Sequence, residues 1–158
     1  MKKTVALTAG TFDPVTLGHL DLIRRAAAMY DTLVVGIFEN PAKTPMFSLE
    51  ARRAALCEAT KDIKNVSVIT NSGMLFEYAK SIGADAIVKG IRNETDREYE
   101  KIQADFNFNH CGIETILLRS SPEFENVSSS LVRQTILRGG DVRPLLPQGV
   151  YEILKADM

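Results

Sequence analysis

Five short runs of apolar, β-prone residues alternate with stretches whose apolar residues recur at helical spacing, and this alternation restricts the fold more than any other feature of the chain. The β-prone runs fall at residues 4–8, Thr32–Phe38, 66–69, 86–88 and 114–118. Thr32–Phe38 (TLVVGIF) is apolar almost throughout, as a strand covered on both faces requires. Leu20, Ile23, Ala27 and Tyr30 mark one helix, and Leu75, Tyr78 and Ile82 mark one side of another over 74–81. Further helices are predicted over 49–60 behind Ser48 as N-cap, 94–109, 128–138 ended by Gly139-Gly140, and 146–155. Strands that alternate with helices require right-handed crossovers and a parallel sheet, so all five strand ends open onto one face. Open α/β sheets bind ligands on that face.

Each segment able to carry chemistry follows one of those ends. Gly10-Thr11-Phe12-Asp13-Pro14-Val15-Thr16-Leu17-Gly18-His19 links the first strand to the first helix. Its bracketing glycines permit positive φ and close approach of a ligand to the backbone, while Asp13 and Pro14 stiffen the turn. His19 falls in the first helical turn, where free amides and the helix dipole favour anions, so its imidazole is placed to donate to a phosphoryl oxygen. The plainer alternative is a histidine that caps its own turn. Lys43 lies in the proline-marked loop after strand two, where a solvated lysine is the alternative. Met74 follows strand three, with a core residue on a helix face as its alternative. Lys89-Gly90-Ile91-Arg92 ends strand four with two cations about a glycine, a phosphate site or a basic surface loop. Ser128, Ser129 and Ser130 open the helix after strand five.

At 158 residues, with 45% hydrophobic content, the sequence suits one domain spanning 1–158. Nineteen basic and 20 acidic residues give a net charge of −1, and the pI of about 6.1 lacks the basic signature of a duplex-binding protein. Cys57 and Cys111, the only cysteines, are too few and unpatterned for a disulfide framework or a zinc site, which suits a cytoplasmic enzyme. The apolar part after Lys2-Lys3 is too short for a signal peptide, and no run is long enough to span a membrane.

The residue types at the strand ends suit a reaction on phosphate: Thr11 and His19 as donors, Lys43, Lys89 and Arg92 as cations, and the amides of Ser128 to Ser130 as a helix-start anion site. Neither G-x-x-x-x-G-K-[ST] nor G-x-G-x-x-G occurs, which removes the main support for a P-loop ATPase or a dinucleotide enzyme. A Ser-His-Asp hydrolase lacks support as well, because His110 stands in a predicted helix tail without a partner motif.

Thr16-Leu17-Gly18-His19 after Gly-Thr-Phe-Asp-Pro resembles the HxGH-type signature of the nucleotidyltransferase superfamily, in the Thr-first form of the phosphopantetheine adenylyltransferase family. Val127-Ser128-Ser129-Ser130-Leu131-Val132-Arg133 resembles the family's ISSTxxR/K element. Lys43-Thr44-Pro45-Met46-Phe47, Lys89-Gly90-Ile91-Arg92 and Asp96-Arg97-Glu98-Tyr99-Glu100 follow in family order, so the likeness covers essentially the whole chain. It implies a Rossmann-like, doubly wound five-stranded sheet and adenylyl transfer from ATP to 4'-phosphopantetheine, with Mg²⁺ held through the nucleotide phosphates. It implies His19, Thr11, Lys43 and Arg92 as catalytic, and Gly10, Thr11, Phe12, His19, Gly90, Arg92, Glu100, Val127, Ser128, Ser129 and Ser130 around ATP, with Glu100 by the ribose. Thr11, Lys43, Met74, Leu75, Lys89 and Asn107 would hold the second substrate. The resemblance further implies a homo-hexamer and feedback binding of coenzyme A. Two rivals stand beside it: a cytidylyltransferase acting on an alcohol phosphate, whose members usually carry the first His that is Thr16 here, and a nucleotide-binding regulator without turnover. The sequence departs from the family pattern at Ala9, at Lys89 in place of a common Arg, at Arg97, and at Ile102-Gln103.

Overall fold

A computed structural model describes residues 2–158. Five parallel strands form one sheet in the order β3-β2-β1-β4-β5, with β1 at Val5–Gly10, β2 at Thr32–Phe38, β3 at Val66–Asn71, β4 at Ala86–Ile91 and β5 at Thr115–Arg119. The chain starts at the sheet centre, winds outward through β2 and β3, then crosses back to β4. That reversal puts a crevice between the ends of β1 and β4, where doubly wound sheets take their ligands. The fold is Rossmann-like, as the sequence predicts.

Alternation within the strands builds a core on each face. Ala6, Leu33, Val35, Ile37 and Val88 point to the larger one, shared with helices α1 (Leu17–Met29) and α2 (Leu49–Thr60). Helices α5 (Ser129–Leu137) and α6 (Val150–Leu154) close that face through Val132, Val150 and Leu154. Leu7 and Ile87 point the other way, against α3 (Leu75–Ser81), with Leu75, Tyr78 and Phe38 around them. Helix α4 (Glu94–Cys111) packs beside α3 and the β4–β5 edge.

Four strands outrun their predicted ends, β5 by the single residue Arg119 and three by two or three residues. β1 continues to Gly10, β3 to Asn71 and β4 to Ile91, so Lys89 and Gly90 are strand residues paired with Leu117 and Leu118. Apolar patterning stops where a strand leaves the core, whereas backbone pairing continues into the polar crevice. The predicted helix over 146–155 is also corrected. Only Val150–Leu154 of that span is α-helix; a 3₁₀ turn at Arg143–Leu145 precedes the span and another at Lys155–Asp157 follows α6. Gly149 is left-handed (φ 84°) and stands as the N-cap of α6, so the helix begins after it and not at residue 146.

The glycines of the first loop also act differently from expectation. Neither Gly10 nor Gly18 has positive φ; the left-handed residue is Phe12, at φ 48°. Gly18 serves close approach instead, because a Cβ there would sit 3.2 Å from the Val127 carbonyl oxygen. The start of α1 thereby lies against the segment that enters α5.

Candidate functional site

A cleft of about 310 Å³ opens at the ends of β1, β4 and β5, within the size range of small-ligand pockets. Gly10, Phe12, His19, Lys89, Gly90, Arg92, Glu100 and Val127 to Ser130 all line it. Apart from Lys89, which is predicted for the second substrate, these are the predicted nucleotide residues, of which Thr11 alone is missing. Thr11 and Lys43 instead line a second hollow of about 290 Å³, together with Arg52 and Ser72, and Lys43 is exposed there. Met74 lines a third, which also includes Ser72. Leu75 packs in the smaller core and Asn107 is buried in α4; neither lines these three hollows. The predicted second-substrate residues therefore spread over several neighbouring sites, with Lys89 alone of them in the main cleft.

His19 caps its own turn, as the plainer alternative has it, and also lines the cleft. Thr16 is the N-cap of α1, and its hydroxyl accepts from the His19 amide at 3.3 Å. The Thr16 amide in turn donates to His19 Nδ1 at 3.0 Å, completing a capping box in which a histidine stands where Glu or Gln is usual. An Nδ1 that accepts must be unprotonated, so the ring's N–H is on Nε2. Burial, then the positive charges of Arg92 and Lys89, push the imidazole down to about 4. At neutral pH the cleft holds a fixed, uncharged N–H donor. The buried Phe12 ring packs against it in a T-shaped contact, with centroids 4.9 Å apart and planes at 62°.

This shift has a stability consequence. An unfolded histidine titrates near 6.5 and His19 in the fold near 4, so between those values the unfolded state binds the extra proton. Stability therefore falls as pH drops through that window, by about 3 kcal/mol. We expect urea unfolding at pH 7, 5.5 and 4 to show wild type losing about that much more than His19→Gln. Parallel pH profiles would contradict the buried neutral imidazole.

The cations are held by different means. Lys89 Nζ donates to the Ala9 carbonyl at 3.2 Å, so it bridges β4 to the end of β1. Arg92 donates from its amide and from Nε to Asp96 Oδ2, at 3.0 and 3.2 Å. Glu100 Oε2 is buried without a hydrogen-bond partner, leaving an acceptor that a ligand hydroxyl would satisfy.

At α5 the serine hydroxyls already have roles. Ser128 Oγ accepts from the Leu131 amide at 3.1 Å as N-cap, and Ser129 Oγ donates to the Pro14 carbonyl at 2.7 Å. Arg133 donates to Ser130 Oγ at 3.2 Å and to the Asp13 carbonyl at 2.8 Å. The groups of this turn left for an anion are its first amides, with the dipole behind them.

Two residues that organise the site escape the motif reading. Asp13 does more than stiffen a turn: its carboxylate accepts from the Met46 and Phe47 amides, both at 2.9 Å, and so anchors the end of the loop that carries Lys43. Buried Arg52 donates to the Phe47 carbonyl and to the Thr11 carbonyl, both at 3.1 Å. A signal for Arg52 was present. It shares a helix face with Ala55, Leu56 and Ala59, an apolar stripe where a cation needs buried partners.

Residues 7–135 match the family described as cytidylyltransferase-like. Phosphopantetheine adenylyltransferases from two strains of Limosilactobacillus reuteri, DSM 20016 and JCM 1112, are each 43% identical over 152 residues, covering 96% of this chain and 88% of theirs. A crystal structure from Vibrio parahaemolyticus, described as a nicotinate-nucleotide adenylyltransferase, superposes with a TM-score of 0.73 over 98% of this chain and 93% of its own. At 18% identity it speaks for the fold alone. With Thr16 to His19 and Val127 to Arg133 meeting across one cleft, and with relatives this similar over nearly its whole length, the chain belongs to the phosphopantetheine adenylyltransferases within the cytidylyltransferase-like family.

Proposed function

We propose that this protein transfers the adenylyl group of ATP to 4'-phosphopantetheine, giving dephospho-coenzyme A and pyrophosphate. The observation that carries the reading is one cleft holding an uncharged Nε2–H donor, two cations and a helix start, in a close relative of enzymes of that name. A phosphate oxygen of the acceptor attacks the α-phosphorus in line; the new P–O bond forms as the bond to the β-phosphate breaks, and pyrophosphate departs with that electron pair. The acceptor is mostly a dianion at neutral pH, so no base has to remove a proton. His19 donates to an α-phosphoryl oxygen, Lys89 and Arg92 offset the accumulating charge, and the amides of Ser129 and Ser130 receive the pyrophosphate end. Glu100 accepts from the ribose, while Lys43 and Thr11 hold the acceptor on the side of the second hollow.

The described residues contain no cluster of three His, Cys, Asp or Glu suited to a metal, and the cleft is lined by Lys89, Arg92 and Ser128 to Ser130 with only Asp21 and Glu100 as carboxylates. This fits a Mg²⁺ ion carried by the nucleotide phosphates, where it neutralises charge, with no dedicated protein cage. We propose a homo-hexamer by analogy with the family; the exposed Tyr99, Ile102, Phe106 and Phe108 of helix α4 are apolar surface that association would cover, and a monomer in light scattering at working concentration would contradict it. Both cores share one sheet, which supports a single domain over 1–158. Among the described residues no helix is long and apolar enough to cross a membrane. A cytoplasmic location and feedback binding of coenzyme A are part of what we propose with this activity.

The test offers ATP, CTP and phosphopantetheine in combination while pyrophosphate is followed. Release with ATP and phosphopantetheine alone supports the reading; release with CTP favours a cytidylyltransferase, and binding without release a regulator. Lys89 gives a second check. If its ammonium holds the acceptor phosphate, Lys89→Ala raises the KM for phosphopantetheine about ten- to a hundred-fold and changes that for ATP far less. An equal effect on both would remove the assignment.

A further inference from the structure

We propose that Arg92, Arg97 and Arg119 form a second anion subsite, for a phosphoryl dianion, in a small recess beside the nucleotide cleft. The recess lies at the start of α4, measures about 180 Å³, and is lined by Ile91, Arg92, Asn93, Glu94, Arg97 and Arg119. Guanidiniums there outnumber carboxylates three to one. That carboxylate does little to neutralise them: Glu94 Oε1 stands 3.7 Å from Arg97 Nη1, beyond hydrogen-bond distance, with both side chains well exposed. Arg119 has no carboxylate within 4.0 Å among the described residues. Arg92 uses Nε on Asp96, and its other guanidinium nitrogens have no hydrogen-bond partner among the described residues.

Three guanidiniums brought around one hollow repel one another in the free protein, and an anion between them relieves that repulsion. Their planar forks match phosphoryl oxygens in pairs. The volume suits a phosphate group rather than a whole nucleotide. Arg97 is also a residue the main cleft does not explain, since it does not line that cleft. Arg92 lines both hollows, so the recess adjoins the nucleotide cleft. The phosphoryl dianion has two sources, free pyrophosphate or the terminal phosphates of a nucleotide bound next door, and only this assignment of sources rests on the proposed reaction.

The test compares wild type with the double variant Arg97→Ala/Arg119→Ala, neither residue being in the catalytic machinery, with circular dichroism confirming the fold. Calorimetric titration with pyrophosphate, ATP and AMP needs no turnover, so it remains readable whatever the fate of the proposed reaction. Two pyrophosphates per wild-type chain and one per variant chain would support a subsite for the free anion. One in each, with ATP affinity about tenfold weaker in the variant and AMP affinity kept, would support a subsite for the nucleotide tail. Unchanged stoichiometry together with an unchanged ATP-to-AMP ratio would overturn the proposal. If the double variant does not fold, Arg97→Ala alone carries the same comparison.

Discussion

His19→Ala is expected to fold and to lose at least about 10²- to 10³-fold in kcat, the usual scale for removing one donor aimed at charge that develops in a transition state. The capping box ties Nδ1 to the Thr16 amide, which leaves Nε2–H as the ring's free donor and holds it without rearrangement during the reaction. A donor whose bond strengthens as the phosphoryl oxygens gain charge acts on kcat, so both KM values should move comparatively little. Alanine also removes the reciprocal cap, at a cost of about 1 kcal/mol. His19→Gln separates the two losses. A glutamine at this position can still accept from the Thr16 amide, so it should recover stability while kcat stays low. Steady-state kinetics beside urea unfolding provide the comparison. A kcat for His19→Ala within about threefold of wild type would take His19 out of the mechanism, and a loss confined to the KM for ATP would make it a ground-state contact.

What the sequence made legible follows from where its signals originate. Strand and helix positions come from burial periodicity, so β2 and α2 appear in the structure with the predicted ends, Thr32–Phe38 and Leu49–Thr60. The ends of β1, β3 and β4 were hidden because Gly10, Asn71 and Lys89 belong to the crevice and carry no apolar pattern. Gly10, His19, Lys89, Arg92 and Ser128 to Ser130 were legible because they follow strand ends in a parallel sheet, whereas Glu100, inside α4, was legible only through the family resemblance. The second-substrate residues were less so: Met74 and Lys43 line different hollows, and sequence order alone does not fix how the loops after β2 and β3 meet. Least visible were contacts made by groups that a motif reading treats as punctuation. Asp13 looks like a turn residue, and its bonds to Met46 and Phe47 join positions more than thirty residues apart. Nor does a motif show that Phe12 rather than a glycine takes the left-handed backbone, a strained placement for an aromatic that brings its ring beneath His19.

Asp13→Ala is expected to have the larger effect on the fold itself. The carboxylate is almost fully buried and accepts two backbone amides, and Arg133 Nη1 lies 3.7 Å from its Oδ2. Truncation leaves the amides of Met46 and Phe47 without acceptors and withdraws a counter-charge from Arg133. Each charge-assisted bond is worth about 1.5 to 3 kcal/mol, so a loss of about 3 to 5 kcal/mol follows. For a chain of 158 residues that corresponds to a Tm lower by about 10 °C. Asp13→Asn should remain impaired, since its one carbonyl oxygen satisfies one amide and its NH₂ opposes the other. Activity gives a second readout at temperatures where the variants are folded. The released loop carries Lys43, whereas His19, Lys89 and Arg92 keep their own supports, so the KM for phosphopantetheine should rise more than the KM for ATP. Thermal unfolding within about 3 °C of wild type would show that the Asp13 bonds contribute little, and equal changes in both KM values would show that the loop does not position the acceptor.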